Sequence, residues 1–141
     1  MVNPSPPAAV PRTRTGIFLA AIVLVTLAVR VPTFRLPLDQ DSAVYACCAT
    51  AWAEGGLPYR DAWDHKPPLI YGVYRLVFAA APPSQVSVNT SLRVGSALCD
   101  AGTAALLFLL AGRLFGQGAG AAAGLLFAAV SGAALLSMEA F

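Results

Sequence analysis

The sequence predicts an all-α integral membrane protein, with about three transmembrane helices and a loop of two interfacial helices between the first and the second. Three observations carry that prediction. The 141-residue chain is 57% hydrophobic and 11% charged, with a mean hydropathy of +0.68, which lies outside the range of soluble globular domains. Its apolar residues gather into long runs separated by short polar breaks. One polar stretch, residues 38–75, holds five of the seven acidic residues together with the only lysine and the only histidine. Chemistry on a polar substrate is therefore expected in that stretch.

The elements follow in chain order. Residues 1–15 contain Pro4, Pro6, Pro7 and Pro11 without apolar periodicity and predict a disordered cytoplasmic tail. The run GIFLAAIVLVTLAV begins at Gly16 and predicts a span over about 16–31, with Arg30 snorkelling to the interface. Arg30 also stands where a signal peptide would need small residues, so the run reads as a span rather than a leader. The loop, residues 32–91, contains two helices. Asp41-Ser42 can cap one from about Ala43 to Glu54, ended by Gly55-Gly56. Pro67-Pro68 can open another that runs to about Ala80, before Pro82-Pro83. Spans at about 92–111 and 117–138 follow, joined by a tight turn over 112–116. The last span carries Gly116, Gly120, Gly124, Ala128 and Gly132 at every fourth position, a ladder that admits close helix contact within the chain or at a dimer face.

Composition also excludes. A net charge of +2 from scattered bases is no footprint for nucleic acid. Three cysteines, two of them adjacent, make no disulfide framework; Cys47, Cys48 and Cys99 read as small apolar packers. Charge bias places the loop outside: Arg12, Arg14 and Arg113 lie in short undiluted segments, whereas the loop's bases are matched by acids.

The polar stretch offers three constellations. Asp39-Gln40-Asp41 is a D-x-D pair, which can chelate a divalent cation such as Mg or Mn, while local sequence alone favours Asp41 as a helix cap. In PYRDAWDHKPPLIY, residues 58–71, Tyr59, Trp63 and Tyr71 interleave with Arg60, Asp61, Asp64, His65 and Lys66 ahead of two prolines. Stiff backbone, aromatic faces and cations suit a sugar ring and a phosphate, and Lys66 is a point charge for a lipid-linked phosphate; the alternative is a solvated loop with a structural His65. Asp100 interrupts an apolar run and needs a partner, with Arg93 two turns earlier on the same face or an interhelical bond as candidates.

A first span ending in Arg30-x-Pro32, D-x-D followed by Val44-Tyr45-Ala46, the segment G-x-P-Y-R-D-x-W-D-H-K-P-P-x-x-Y, and a second span followed by R-L-F-G together resemble the amino-terminal part of GT-C superfamily membrane glycosyltransferases. The resemblance is to the bacterial family 39 group, related to protein O-mannosyltransferases and to aminoarabinose transferases. It covers the chain from about Gly16 and implies a transferase of the cytoplasmic (inner) membrane. That enzyme would move a sugar from a polyprenyl-phosphate donor to an extracytoplasmic lipid, glycan or protein acceptor, with inversion. On the matching positions, Asp41 is the implied catalytic base and Asp39 the other half of a catalytic acidic pair. Lys66, Arg60, His65, Tyr59 and Asp64 are the implied substrate-binding residues. Ser42 stands where many relatives carry Glu, and relatives are several times longer, so an amino-terminal fragment inactive by itself is expected. A non-catalytic membrane scaffold or assembly subunit is the alternative.

Overall fold

The computed structural model describes residues 12–138. Among them the chain is all helical, with no strands beyond one isolated bridge between Pro58 and Ala62. α1 (Arg12–Arg30) runs into a 3-10 turn (Val31–Arg35), followed by α2 (Gln40–Ala53), α3 (Leu69–Ala80), α4 (Val88–Phe115) and α5 (Gln117–Met138). Two helical segments, Arg14–Arg35 and Val88–Phe115, are long and apolar enough to cross a membrane.

Several boundaries differ from expectation. The tail prediction lies outside the described residues for 1–11, and residues 12–15 are already the first turn of α1. The second long helix exceeds the expected 92–111 at both ends. Ser87 caps it, accepting from the Thr90 amide at 3.1 Å, and it continues through Gly112 to Phe115. The expected five-residue turn contracts to Gly116, whose φ of +93° favours glycine.

α1, α4 and α5 pack together around Ile22, Ala104 and Phe108. Apolar side chains gain little from leaving lipid for protein, so such helices associate through close packing, and here the ladder supplies it. A Cβ on Gly120 would meet the Phe108 carbonyl at 2.5 Å, and one on Gly124 would meet Ile22 at 3.0 Å and the Ala104 carbonyl at 3.2 Å. Ala128 is buried, and a Cβ on Gly132 would collide with Val29. The ladder therefore faces α1 and α4 of its own chain.

The charged crossing is also settled between helices. Asp100 of α4 forms an ion pair with Arg30 of α1, an interhelical partner. Arg30 is correspondingly buried instead of snorkelling. An unpaired charge at this depth would cost several kcal/mol, on the order of 3–5 once its partner is removed.

The remaining helices form a separate platform. α2 and α3 enclose Ala46, Cys48, Ala49, Tyr71 and Phe78, with Leu92 of α4 closing the cluster. α3 seats on α4 where Gly95 leaves room for Val77; a Cβ there would meet Val77 at 2.8 Å. Of the three free cysteines, Cys48 packs in this core as expected, whereas Cys47 and Cys99 are exposed.

Candidate functional site

The platform begins with a cap. Asp39, extended at φ −65° and ψ 163°, accepts the Ser42 amide at 2.9 Å and the Ser42 hydroxyl at 2.6 Å. The expectation that Asp41 caps this helix is corrected: α2 starts at Gln40, and Asp41 sits in its first turn with its side chain outward. A carboxylate there is favoured by the helix dipole without being consumed by capping. Burial pushes the Asp39 carboxyl up. The Ser42 hydroxyl and amide, the Asp39 amide and the Arg93 charge outweigh it and hold the group below its ordinary 3.8.

The approach to the cap is fixed from α4. Arg93 donates to the Pro37 carbonyl at 2.6 Å and the Leu36 carbonyl at 3.4 Å, and Asn89 donates to Leu36 at 3.2 Å and Phe34 at 3.4 Å. A third Arg93 bond, to Asn89 Oδ1 at 3.4 Å, ties the two together. Neither residue stood among the sequence-based site candidates; the available signal was an arginine opening an otherwise apolar helix.

Asp41 and Lys66, twenty-five residues apart in sequence, meet in space. Lys66 Nζ lies 3.8 Å from Asp41 Oδ2, and the Tyr45 hydroxyl donates to the same oxygen at 3.0 Å. Tyr45 is one helical turn beyond Asp41, the i,i+4 spacing that brings side chains together, and sequence reasoning did not single it out as a site residue. The Tyr45 hydroxyl and the Asp41 charge beside it push Lys66 above its ordinary value, so its ammonium is secured.

Lys66 is held from behind by aromatic hydroxyls. Tyr59 donates to its carbonyl at 2.6 Å and Tyr71 at 3.1 Å. Tyr71 also donates to Asp64 Oδ2 at 2.9 Å, and Asp64 Oδ1 accepts the His65 amide at 2.7 Å. Asp64 is buried, which pushes its carboxyl up. The His65 amide, the Tyr71 hydroxyl and the nearby cations outweigh this and hold it below the usual range. Burial, then the Asp64 bond, pushes the Tyr71 phenol far up, so it stays a donor. Tyr59 takes a φ of +70°, sparsely populated for a bulky residue and maintained by its amide bond to the Ala62 carbonyl at 2.9 Å.

The other predicted ligands sit apart from the Lys66–Asp41 pair. Arg60 is exposed and bound by two nitrogens to its neighbour Asp61, at 2.7 and 3.0 Å. His65 is largely exposed, its Nδ1 3.1 Å from Asp64 Oδ1. In the Asp39–Asp41 pair both Asp39 oxygens accept from Ser42, and Lys66 stands 3.8 Å from Asp41 Oδ2. Among the described residues no group of three His, Cys, Asp or Glu is arranged to hold a metal ion.

Beside Lys66 an apolar groove of about 440 Å³ runs along α3, lined by Tyr45, Lys66, Pro67, Leu69, Ile70 and Val73. Tyr45 and Lys66 are the polar residues of its lining. Fold and site thus define an all-helical chain with two membrane-length apolar helices and a charged, aromatic platform between them. Comparison with family models, curated proteins and solved structures finds no match to this chain.

Proposed function

We propose that the platform is the donor-binding part of a GT-C-type membrane glycosyltransferase that uses a polyprenyl-phosphate sugar. The observation that carries the reading is the meeting of Asp41 with Tyr45 and Lys66, two residues that line an apolar groove. A lipid-linked phosphate has this polarity: a chain for Leu69, Ile70 and Val73, and an anion for Lys66. Leu69, Val73 and Leu76 recur at i, i+4 and i+7 on α3 and are exposed, which suits a helix lying in the membrane surface.

In the proposed orientation α1, α4 and α5 cross the bacterial cytoplasmic membrane, with the platform on its outer face. The acceptor hydroxyl attacks the anomeric carbon as the bond to the phosphate oxygen breaks. The electron pair leaves on that oxygen, facing the Lys66 ammonium, and the hydroxyl proton passes to Asp41. Tyr45 and Lys66 both meet Oδ2, so Oδ1 is the oxygen assigned to that proton. Single displacement inverts the sugar. No step runs through a metal ion. The assembly-subunit reading rested on the glycine ladder, and that face is packed against α1 and α4.

The test is binding by the full chain in lipid nanodiscs, with undecaprenyl phosphate against uncharged undecaprenol. Preference for the phosphate by at least tenfold, abolished in Lys66→Gln, is expected. Equal binding of the two lipids, or a Lys66→Gln variant that keeps the preference, overturns the reading.

A further inference from the structure

The residue proposed as the base and the residue proposed to hold the phosphate are already each other's partners. Lys66 Nζ faces Asp41 Oδ2 at 3.8 Å, with the Tyr45 hydroxyl on the same oxygen. Both charged groups are partly or largely exposed, with 38% of the Lys66 side chain and 67% of the Asp41 side chain accessible, so the pair can be opened without moving the core. Exposed pairs of this kind are weak, and the donor's phosphodiester anion, with two free oxygens, is a competing partner for the same ammonium.

We infer that the Lys66–Asp41 pair is a resting latch, opened by the donor's own phosphate, which draws Lys66 away and leaves Asp41 on Tyr45. The inference rests on the donor-site reading above and adds how that site is switched. Its physical consequence is that Asp41 Oδ2 keeps only the Tyr45 hydroxyl when a donor is seated. Tyr45 is the positioning residue that keeps the released carboxylate on the α2 surface. Three features support the arrangement. Tyr59 and Tyr71 fix the Lys66 backbone, so only its side chain needs to swing. The Asp39 cap fixes the first turn of α2. Lys66 itself lines the groove that would admit the lipid.

Lys66 is the only lysine in the chain, which makes the latch directly visible. Reductive ¹³C-methylation of the purified full chain, done before its transfer into nanodiscs, labels Lys66 and the amino terminus alone, and Lys66→Arg identifies the terminal signal. Dodecyl phosphate is the probe and dodecyl maltoside the uncharged control. Dodecyl phosphate is expected to move the Lys66 methyl resonance, and Asp41→Asn to displace it before any probe is added. Asp41→Asn is also expected to tighten dodecyl phosphate binding by roughly two- to fivefold, the range set by an exposed pair. If Asp41→Asn leaves both the resonance and the affinity unchanged while Lys66→Gln still abolishes binding, the latch is overturned and the donor site stands. If Lys66→Gln binds dodecyl phosphate as the wild type does, the donor site itself fails. Should Asp41→Asn not fold, the wild-type titration decides: a resonance unmoved by saturating dodecyl phosphate overturns the latch.

Discussion

Gly120 offers the sharpest test of how the bundle is assembled. A Cβ at this position would meet three backbone atoms: the Phe108 carbonyl oxygen at 2.5 Å and the Gly112 Cα and nitrogen at 2.9 and 3.0 Å. Backbone cannot rotate aside as a side chain can, so α4 and α5 must separate. Ordinary contact starts at 3.4 Å, so the needed displacement is about 0.9 Å. A radial gap of 0.5–1 Å forfeits roughly a quarter to a half of each dispersion contact it opens, and overpacking of this kind costs about 1–3 kcal/mol. Gly102, in the middle of α4, is the internal control, because an added Cβ there meets nothing within 4 Å. Gly102→Ala should stabilise by about 0.5–1 kcal/mol through helix propensity alone. The assay is reversible unfolding in mixed micelles of mild detergent and dodecyl sulfate, followed by helix content. Opposite signs for the two variants are expected. A Gly120→Ala protein as stable as the wild type would refute close α4–α5 contact as the source of cohesion.

Two further outcomes follow from the charged groups. Arg30→Leu and Asp100→Leu should each destabilise by about 3–5 kcal/mol by stranding the other charge, while the double variant recovers most of the loss; additive single losses in the same unfolding assay would contradict the pairing. Asp39 has its carboxyl held below 3.8 in the folded chain, so its contribution is complete above that value and vanishes as the pH falls through the depressed one. Asp39→Asn should retain the cap yet flatten the acid limb of the stability profile, whereas Asp39→Ala loses about 0.5–2 kcal/mol at neutral pH; an acid limb identical in wild type and Asp39→Asn would count against the assigned cap.

Much of the architecture was legible because punctuation residues fix it locally. The limits of α5 follow from Gly116 and the uninterrupted apolar run behind it, and Gly55-Gly56 ends α2 as their spacing requires. The misplaced cap has a different origin. Asp39 and Asp41 both precede a helix-competent run, and the tie from Arg93 to Pro37 is associated with entry of the chain at Asp39. Arg93 comes more than fifty residues later, so no local pattern contains that choice. Arg30 teaches the same lesson, since its partner lies seventy residues away. Within the site, residue types were readable and groupings were not. Lys66 and Asp41 stood out by chemistry, but only the α2–α3 packing brings them together. Arg60, equally basic, is occupied by its sequence neighbour Asp61.

The Arg30–Asp100 pair also has a bearing on the bilayer. On α4 the pair lies between Leu92, which closes the platform core, and Ala104, in the bundle core. The two membrane-length segments are 22 and 28 residues long, about 33 and 42 Å at 1.5 Å per residue. A hydrocarbon core of about 30 Å is shorter than either, so in the proposed orientation each tilts or extends beyond the lipid. α4, the longer, then carries its first turns out of the lipid as a post for α2 and α3, and the ion pair ties α1 to that post.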